Sequence, residues 1–266
     1  MRADQLLVTR GLATTRSQAQ RLIAAGARWH DGARWKPVTK NGDELPPHAQ
    51  LELLDTAESR YVSRGGLKLE AVLNDAAFNV AGLQCLDVGQ STGGFTDCLL
   101  QQGAVHVVGV DVGHGQLHPH LRADARVTCV ENINARYLNT TDLIAALAGA
   151  TGSGSTFGLN FQGFDLIVGD LSFISLTLVL PALTPLLKPT SALLMLVKPQ
   201  FELQPAHIGK GGLVKDPASY AQVEQRIRTC CSDLDLQVTG WYDSAIAGGD
   251  GNREFFVYAR QAANDK

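Results

Sequence analysis

The stretch Asp87-Val-Gly-Gln-Ser-Thr-Gly-Gly-Phe95 follows an apolar run at residues 83–86. A short strand that empties into a glycine turn and then a helix is where open α/β domains hold a cofactor. The spacing is not the G-x-G-x-x-G of most dinucleotide folds. Gly89 can make the tight turn, while Gly93 and Gly94 let backbone approach a bulky group. The next apolar run, residues 105–110, ends at Asp111. A carboxylate after the second strand is placed to accept hydrogen bonds from both ribose hydroxyls of an adenosine-containing ligand. That arrangement favours S-adenosyl-L-methionine over a pyrophosphate cofactor.

The chain has 266 residues, enough for one packed α/β domain and a small appendage. No segment reaches 18 consecutive apolar residues, and the first residues lack a signal-peptide pattern, so a cytoplasmic protein without a transmembrane helix is expected. Cysteines at 85, 98, 129, 230 and 231 show neither metal spacing nor a disulfide framework. Their apolar surroundings fit buried thiols.

The net charge of -3 hides an asymmetry. Residues 1–40 hold eight Arg or Lys against Asp4 and Asp31, leaving +6 there and -9 in the remainder. A basic module on an acidic body is a way to engage a polyanion, although a solvated helical face gives the same count. The pattern sharpens the choice. Residues 5–10 read as a short helix stopped at Gly11, and Thr15-Arg-Ser-Gln18 as a capping box. The next helix buries Ala19, Leu22 and Ile23, ends at Gly26 and leaves Arg16, Gln20 and Arg21 room to face outward. A hairpin is predicted from residues 27–30, the Asp31-Gly32 turn and residues 33–36, with a further strand at 50–54.

Beyond a linker at 56–62, strands alternate with helices in the manner of a Rossmann-like methyltransferase. Residues 127–130 lead to Glu131 and Asn132, near the expected adenine region. After a flexible crossover at 149–158, a fourth strand at 164–168 ends near Asp170. A helix is predicted at 178–187, a strand at 193–197 ending at Lys198, a glycine- and lysine-rich loop at 208–217, a helix at 218–232 and final strands at 237–242 and 254–258. Asp170 and Lys198 thus end adjacent strands, and Glu254 opens the last one. With Lys68 they form a Lys-Asp-Lys-Glu set able to bring a ribose hydroxyl to a methyl donor. No Ser-His-Asp arrangement or metal cluster competes, so no metal is expected.

Residues 2–54 resemble an RNA-binding domain named after a small-subunit ribosomal protein, through Arg2-Ala-Asp-Gln-Leu-Leu, Thr15-Arg-Ser-Gln-Ala-Gln-Arg-Leu-Ile, Gly26 and Asp31-Gly32. The body resembles the FtsJ-type ribose methyltransferases, and the whole chain the TlyA family. The matching blocks are Tyr61-Val-Ser-Arg-Gly-Gly-Leu-Lys-Leu-Glu, the Asp87 turn through Asp97, Asp111-Val-Gly-His-Gly-Gln-Leu, Gly169-Asp-Leu-Ser-Phe-Ile-Ser, Val197-Lys-Pro-Gln-Phe-Glu and Gly251-Asn-Arg-Glu-Phe.

The resemblance implies a class I methyltransferase domain at 63–262 behind an α/β RNA-binding domain at 1–55. It implies 2'-O-methylation of ribosomal RNA, with cytidine as the modified nucleoside and the free RNA or an assembled subunit as partner. Lys68, Asp170, Lys198 and Glu254 fall on the catalytic tetrad. Donor contacts are expected from Asp87, Gly89, Ser91, Thr92, Gly93, Gly94, Phe95, Asp111, Val112, Glu131, Asn132 and Asp170. RNA contacts are expected from Arg2, Arg10, Arg16, Gln20, Arg21, Arg28 and Arg64. Gln90, His114, the His118-Pro119-His120 run and the 131–134 stretch depart from the family's usual residues. A noncatalytic RNA-binding or ribosome-assembly protein, and a membrane-active hemolysin, are the alternatives.

Overall fold

A computed structural model describes residues 1–13, 15–54, 60–150 and 161–261. The crossover beyond residue 150 and most of the expected linker lie outside the described residues. The chain forms two compact units, Met1–Leu67 and Lys68–Lys266.

In the first unit, α1 (Ala3–Thr9) and α2 (Arg16–Gly26) pack on a sheet of β1 (Ala27–His30), β2 (Trp35–Pro37) and β3 (Gln50–Leu53), in the order β2-β1-β3. The capping box forms as expected, with Thr15 accepting from the Gln18 N–H at 3.1 Å. All neighbours in this sheet are antiparallel. Ala19, Leu22 and Ile23 enter a core with Leu6, Leu7 and Ala27.

The second unit is built on a seven-stranded sheet. Its strands are β4 (Gln84–Val88), β5 (His106–Val110), β6 (Val127–Val130), β7 (Phe164–Gly169), β8 (Leu187–Val197), β9 (Leu236–Asp243) and β10 (Phe255–Gln261). They lie in the order β6-β5-β4-β7-β8-β10-β9. The first five of that order run parallel, and β10 joins β8 and β9 antiparallel. Near-continuous apolar runs in β4, β5, β7 and β8 suit strands covered on both faces. The helices are α3 (Gly65–Asp75), α4 (Gly94–Gln101), α5 (Pro119–Arg122), α6 (Thr140–Ala150), α7 (Leu180–Leu183), α8 (Pro199–Glu202) and α9 (Ser219–Asp233).

One expected element is corrected. Instead of a helix over 178–187, the chain makes a 3-10 turn, the four-residue α7 and a second 3-10 turn. Pro181 and Pro185 each lack an N–H donor and each opens a new short turn, so no continuous helix forms. The following strand then starts at Leu187, six residues before the expected position.

Candidate active site

β4 leaves the sheet through Gly89 at φ +81°, Ser91 at +48° and Gly93 at +96°, and α4 starts at Gly94. A Cβ on Gly89 would stand 2.7 Å from the Asp170 carbonyl oxygen, and one on Gly93 2.4 Å from Leu121. Both glycines are therefore required by conformation and by crowding. Asp87, 1% exposed, ties strand to helix. Its Oδ2 accepts from the Thr96 N–H at 3.0 Å and hydroxyl at 2.7 Å, while its buried Oδ1 has no partner. Burial pushes its carboxyl up to about 7, against the two Thr96 hydrogen bonds. An unpaired buried acceptor is costly, and a charged donor such as a ligand ammonium can satisfy it.

Gln90 is built into the turn. The side chain is 3% exposed and donates to Thr96 Oγ1 at 2.9 Å. Its amide occupies the space over Gly109, where a Cβ would lie 2.0 Å from it.

Asp111, just past β5, accepts from the Ser91 N–H at 2.7 Å and the Gly113 N–H at 2.6 Å. Ser91, Thr92, Val112 and Asn132 are exposed around this end of the sheet. Glu131 is engaged by Arg122 at 2.5 Å, His114 at 2.9 Å and the Gly115 N–H at 2.8 Å. The Arg122 hydrogen bond, above all, holds its carboxyl below the ordinary value. Phe95 lies in the first turn of α4. Its ring is 3% exposed and stacks on Phe256 at 6.1 Å, because the first turn of α4 faces the core.

Lys68, Asp170, Lys198 and Glu254 come together as two ion pairs. Lys198 Nζ lies 2.6 Å from Asp170 Oδ1 and donates to Ser172 Oγ at 2.8 Å. Lys68 Nζ donates to Glu254 Oε2 at 2.5 Å, and both side chains are buried. The antiparallel register pairs Phe255 with Val197, so Glu254 and Lys198 are the next residues on neighbouring strands. Lys198 and Glu254 line one cavity of about 500 Å³ with Ser172, Phe173, Phe201 and Asp250. Hydrogen bonds from Asn252 and Gln200 outweigh burial at Asp250 and hold its carboxyl below the ordinary value.

Phe173 was not singled out from the sequence. It is 91% exposed at φ +64°, and its ring sits 5.2 Å from that of Phe201. A large aromatic held exposed in a left-handed backbone is a strained placement that points to a ligand. Among the described residues no group of three His, Cys, Asp or Glu is placed to hold a metal ion.

The expected RNA contacts are less uniform. Arg2, Arg16 and Gln20 converge on Asp4, which is fully buried, at 3.0, 3.0 and 3.2 Å. Arg16 stays exposed and Arg2 and Gln20 half-buried, while each spends a hydrogen bond on this carboxylate of α1. Their hydrogen bonds, led by Arg2, hold Asp4 well below the usual carboxylate range. Arg10 donates to the Pro47 carbonyl and Arg28 to Glu52, while Arg21 and Arg64 are half-buried.

The FtsJ-like methyltransferase profile matches residues 61–261. The chain belongs to the FtsJ-like methyltransferase family. Within it, the chain is 40% identical to the 16S/23S rRNA (cytidine-2'-O)-methyltransferase TlyA of Mycobacterium tuberculosis, over 97% of this chain and 89% of that protein. It is 33% identical to Hemolysin A of Brachyspira hyodysenteriae, over 97% and 99% of the two chains. A solved structure from Streptococcus thermophilus, provisionally described as a hemolysin, superposes with a TM-score of 0.72 at 35% identity, covering 100% of this chain and 90% of the other. No described helix is long and apolar enough to cross a membrane.

Proposed function

We propose that this chain transfers the methyl group of S-adenosyl-L-methionine to a ribose 2'-hydroxyl of a cytidine in ribosomal RNA, acting in the cytoplasm on free rRNA or an assembled subunit. The observation that carries the reading is the Lys198–Asp170 pair, set beside the buried Lys68–Glu254 pair at the carboxyl ends of β7 and β8. The 40% identity to a protein of that activity supports the choice of substrate.

The methyl donor supplies an activated sulfonium carbon. Asp87 Oδ1 would take its ammonium, Gly89 and Gly93 would let it lie against the backbone, and Asp111 would take its ribose hydroxyls. That carboxylate already accepts from two N–H groups, and its remaining lone pairs stay available. Asp170 borders both halves of the site, since its carbonyl crowds Gly89 and its carboxylate meets Lys198. Phe95 contributes only backbone.

The 2'-oxygen sits against Lys198. Its amine orients the hydroxyl and, in its neutral form, takes the hydroxyl proton as the O–C bond forms and the C–S bond breaks, so that the products are the methylated ribose and S-adenosylhomocysteine. Asp170 and Ser172 fix the direction of Lys198. Lys68 and Glu254, mutually paired and buried, close the network. Phe173 offers a ring face to the unstacked base. Alignment of oxygen, methyl carbon and sulfur provides most of the acceleration, because the donor is activated before it binds. The unit at residues 1–55 grips structured RNA and the domain at 63–262 performs the transfer, joined through residues 56–62.

The test is transfer of a labelled methyl group to unmodified small and large ribosomal subunits, followed by digestion to nucleosides. Label in 2'-O-methylcytidine is the expected result. Label on a base carbon or nitrogen contradicts the proposed acceptor.

A further inference from the structure

Residues 207–215 form a short hairpin beside the Lys198 cavity. An isolated bridge between Ile208 and Val214 closes it, with the Gly209 N–H on Leu213 O at 2.7 Å and the Lys215 N–H on His207 O at 3.0 Å. Its tip reads Gly209-Lys210-Gly211-Gly212. Gly211 and Gly212 adopt φ +76° and +83°, and a Cβ on either would meet nothing within 4 Å. Conformation, not crowding, therefore calls for these glycines. The Gly212 N–H is spent within the tip on Gly209 O at 3.2 Å, which leaves the adjacent Lys210 and Gly211 N–H groups at the turn, and adjacent N–H groups in such a turn can accept an anion.

Ile208, Gly211 and Gly212 line the same cavity as Lys198 and Glu254. Lys210, between them in the chain, is exposed. Neighbouring lysines are committed elsewhere, Lys198 to Asp170 and Ser172 and Lys215 to the Ala206 carbonyl. The tip is also anchored. Asn252, 2% exposed, donates from Nδ2 to Gly212 O at 2.9 Å and accepts the Val214 N–H at Oδ1 at 3.0 Å. Two residues later the chain reaches Glu254, so the hairpin and that carboxylate share one support.

A ribose whose 2'-oxygen meets Lys198 carries a phosphodiester on the adjacent 3'-carbon, so an anion must enter this end of the sheet with it. We propose that the hairpin tip at residues 209–212, with Lys210, is a phosphate cradle that grips the RNA backbone beside the target ribose. The cradle rests on the reading of Lys198 as the methyl-acceptor site. Its chemistry is independent of base identity, because a phosphate carries no sequence information.

The experiment compares wild type with Lys210→Gln, Lys210→Arg and Gly211→Ala in methyl transfer to unmodified ribosomal subunits over a salt series. S-adenosylhomocysteine affinity is measured by calorimetry on the same proteins. Lys210→Gln is expected to raise the KM for RNA about five- to tenfold and to lower the slope of log affinity against log salt by about 0.7–0.9, the loss of one phosphate contact. Lys210→Arg restores both, and Gly211→Ala raises KM severalfold. Affinity for S-adenosylhomocysteine is unchanged in all three. A wild-type KM and salt slope in Lys210→Gln would overturn the cradle while leaving the methyl-acceptor site standing. No transfer by wild type to either subunit, with S-adenosylhomocysteine still bound, would remove that site and the cradle together.

Discussion

Asp87 carries two demands on one carboxylate. Oδ2 caps the start of α4 through Thr96, while Oδ1 stays buried without a partner. With its carboxyl raised to about 7 by burial, the free protein holds the proton below that pH. An ammonium held at Oδ1, as proposed, needs the ionised form, so donor affinity is expected to rise with pH up to about 7 and then level off. Calorimetry with S-adenosylhomocysteine at pH 6 and pH 8 should give roughly a tenfold difference in wild type. Asp87→Asn should bind weakly and show no such step. Stability moves in the opposite direction. A carboxyl whose folded value is raised stabilises the free protein fully below the unfolded value, and that contribution is lost as pH rises through about 7. Wild type should therefore lose thermal stability relative to Asp87→Asn between about pH 4 and pH 7, which melting curves of the two proteins can check.

At the scale of elements, the donor turn couples two strands through a packing pair. Gln90 lies over Gly109 and bonds Thr96, so any side chain at 109 displaces it. Gly109→Ala should cost about 1–3 kcal/mol by overpacking. The double variant Gly109→Ala with Gln90→Ala should recover most of that loss, because the two sites share one space. Additive losses in a denaturation cycle would refute the coupling.

The glycine turn, the parallel strands and the late antiparallel pairing were legible because apolar runs and left-handed glycines are local signals. The helix expected at 178–187 misread the leucines. Their spacing suits a buried turn as well as a helix, and Pro181 and Pro185 decide between them. The arginines were harder. Amphipathic spacing marks a polar face on α2, but it cannot show that Arg16 and Gln20 spend hydrogen bonds on the buried Asp4 of α1. Lys68 and Glu254 meet across 186 residues, a contact that no local pattern records. Phe95 was assigned to the donor by its place in a motif, whereas its ring follows the core-facing side of α4.

At the scale of the molecule, a basic unit precedes a unit that carries the methyltransferase profile. The division of labour proposed for them makes RNA affinity separable from donor affinity. Arg21→Glu should weaken binding to rRNA about tenfold at low salt and leave S-adenosylhomocysteine affinity unchanged. Deletion of residues 1–55 should abolish efficient transfer to ribosomal subunits. Full activity of the truncated chain would show that the first unit is dispensable for substrate capture.

The central claim is that Lys198 meets the acceptor oxygen. The most direct measurement is single-turnover transfer of a labelled methyl group to unmodified ribosomal subunits by wild type and Lys198→Ala, with S-adenosylhomocysteine affinity measured on both. The account predicts a rate at least about 100-fold lower in the variant, with donor affinity preserved. A variant that binds the donor and transfers the methyl group at the wild-type rate would contradict it.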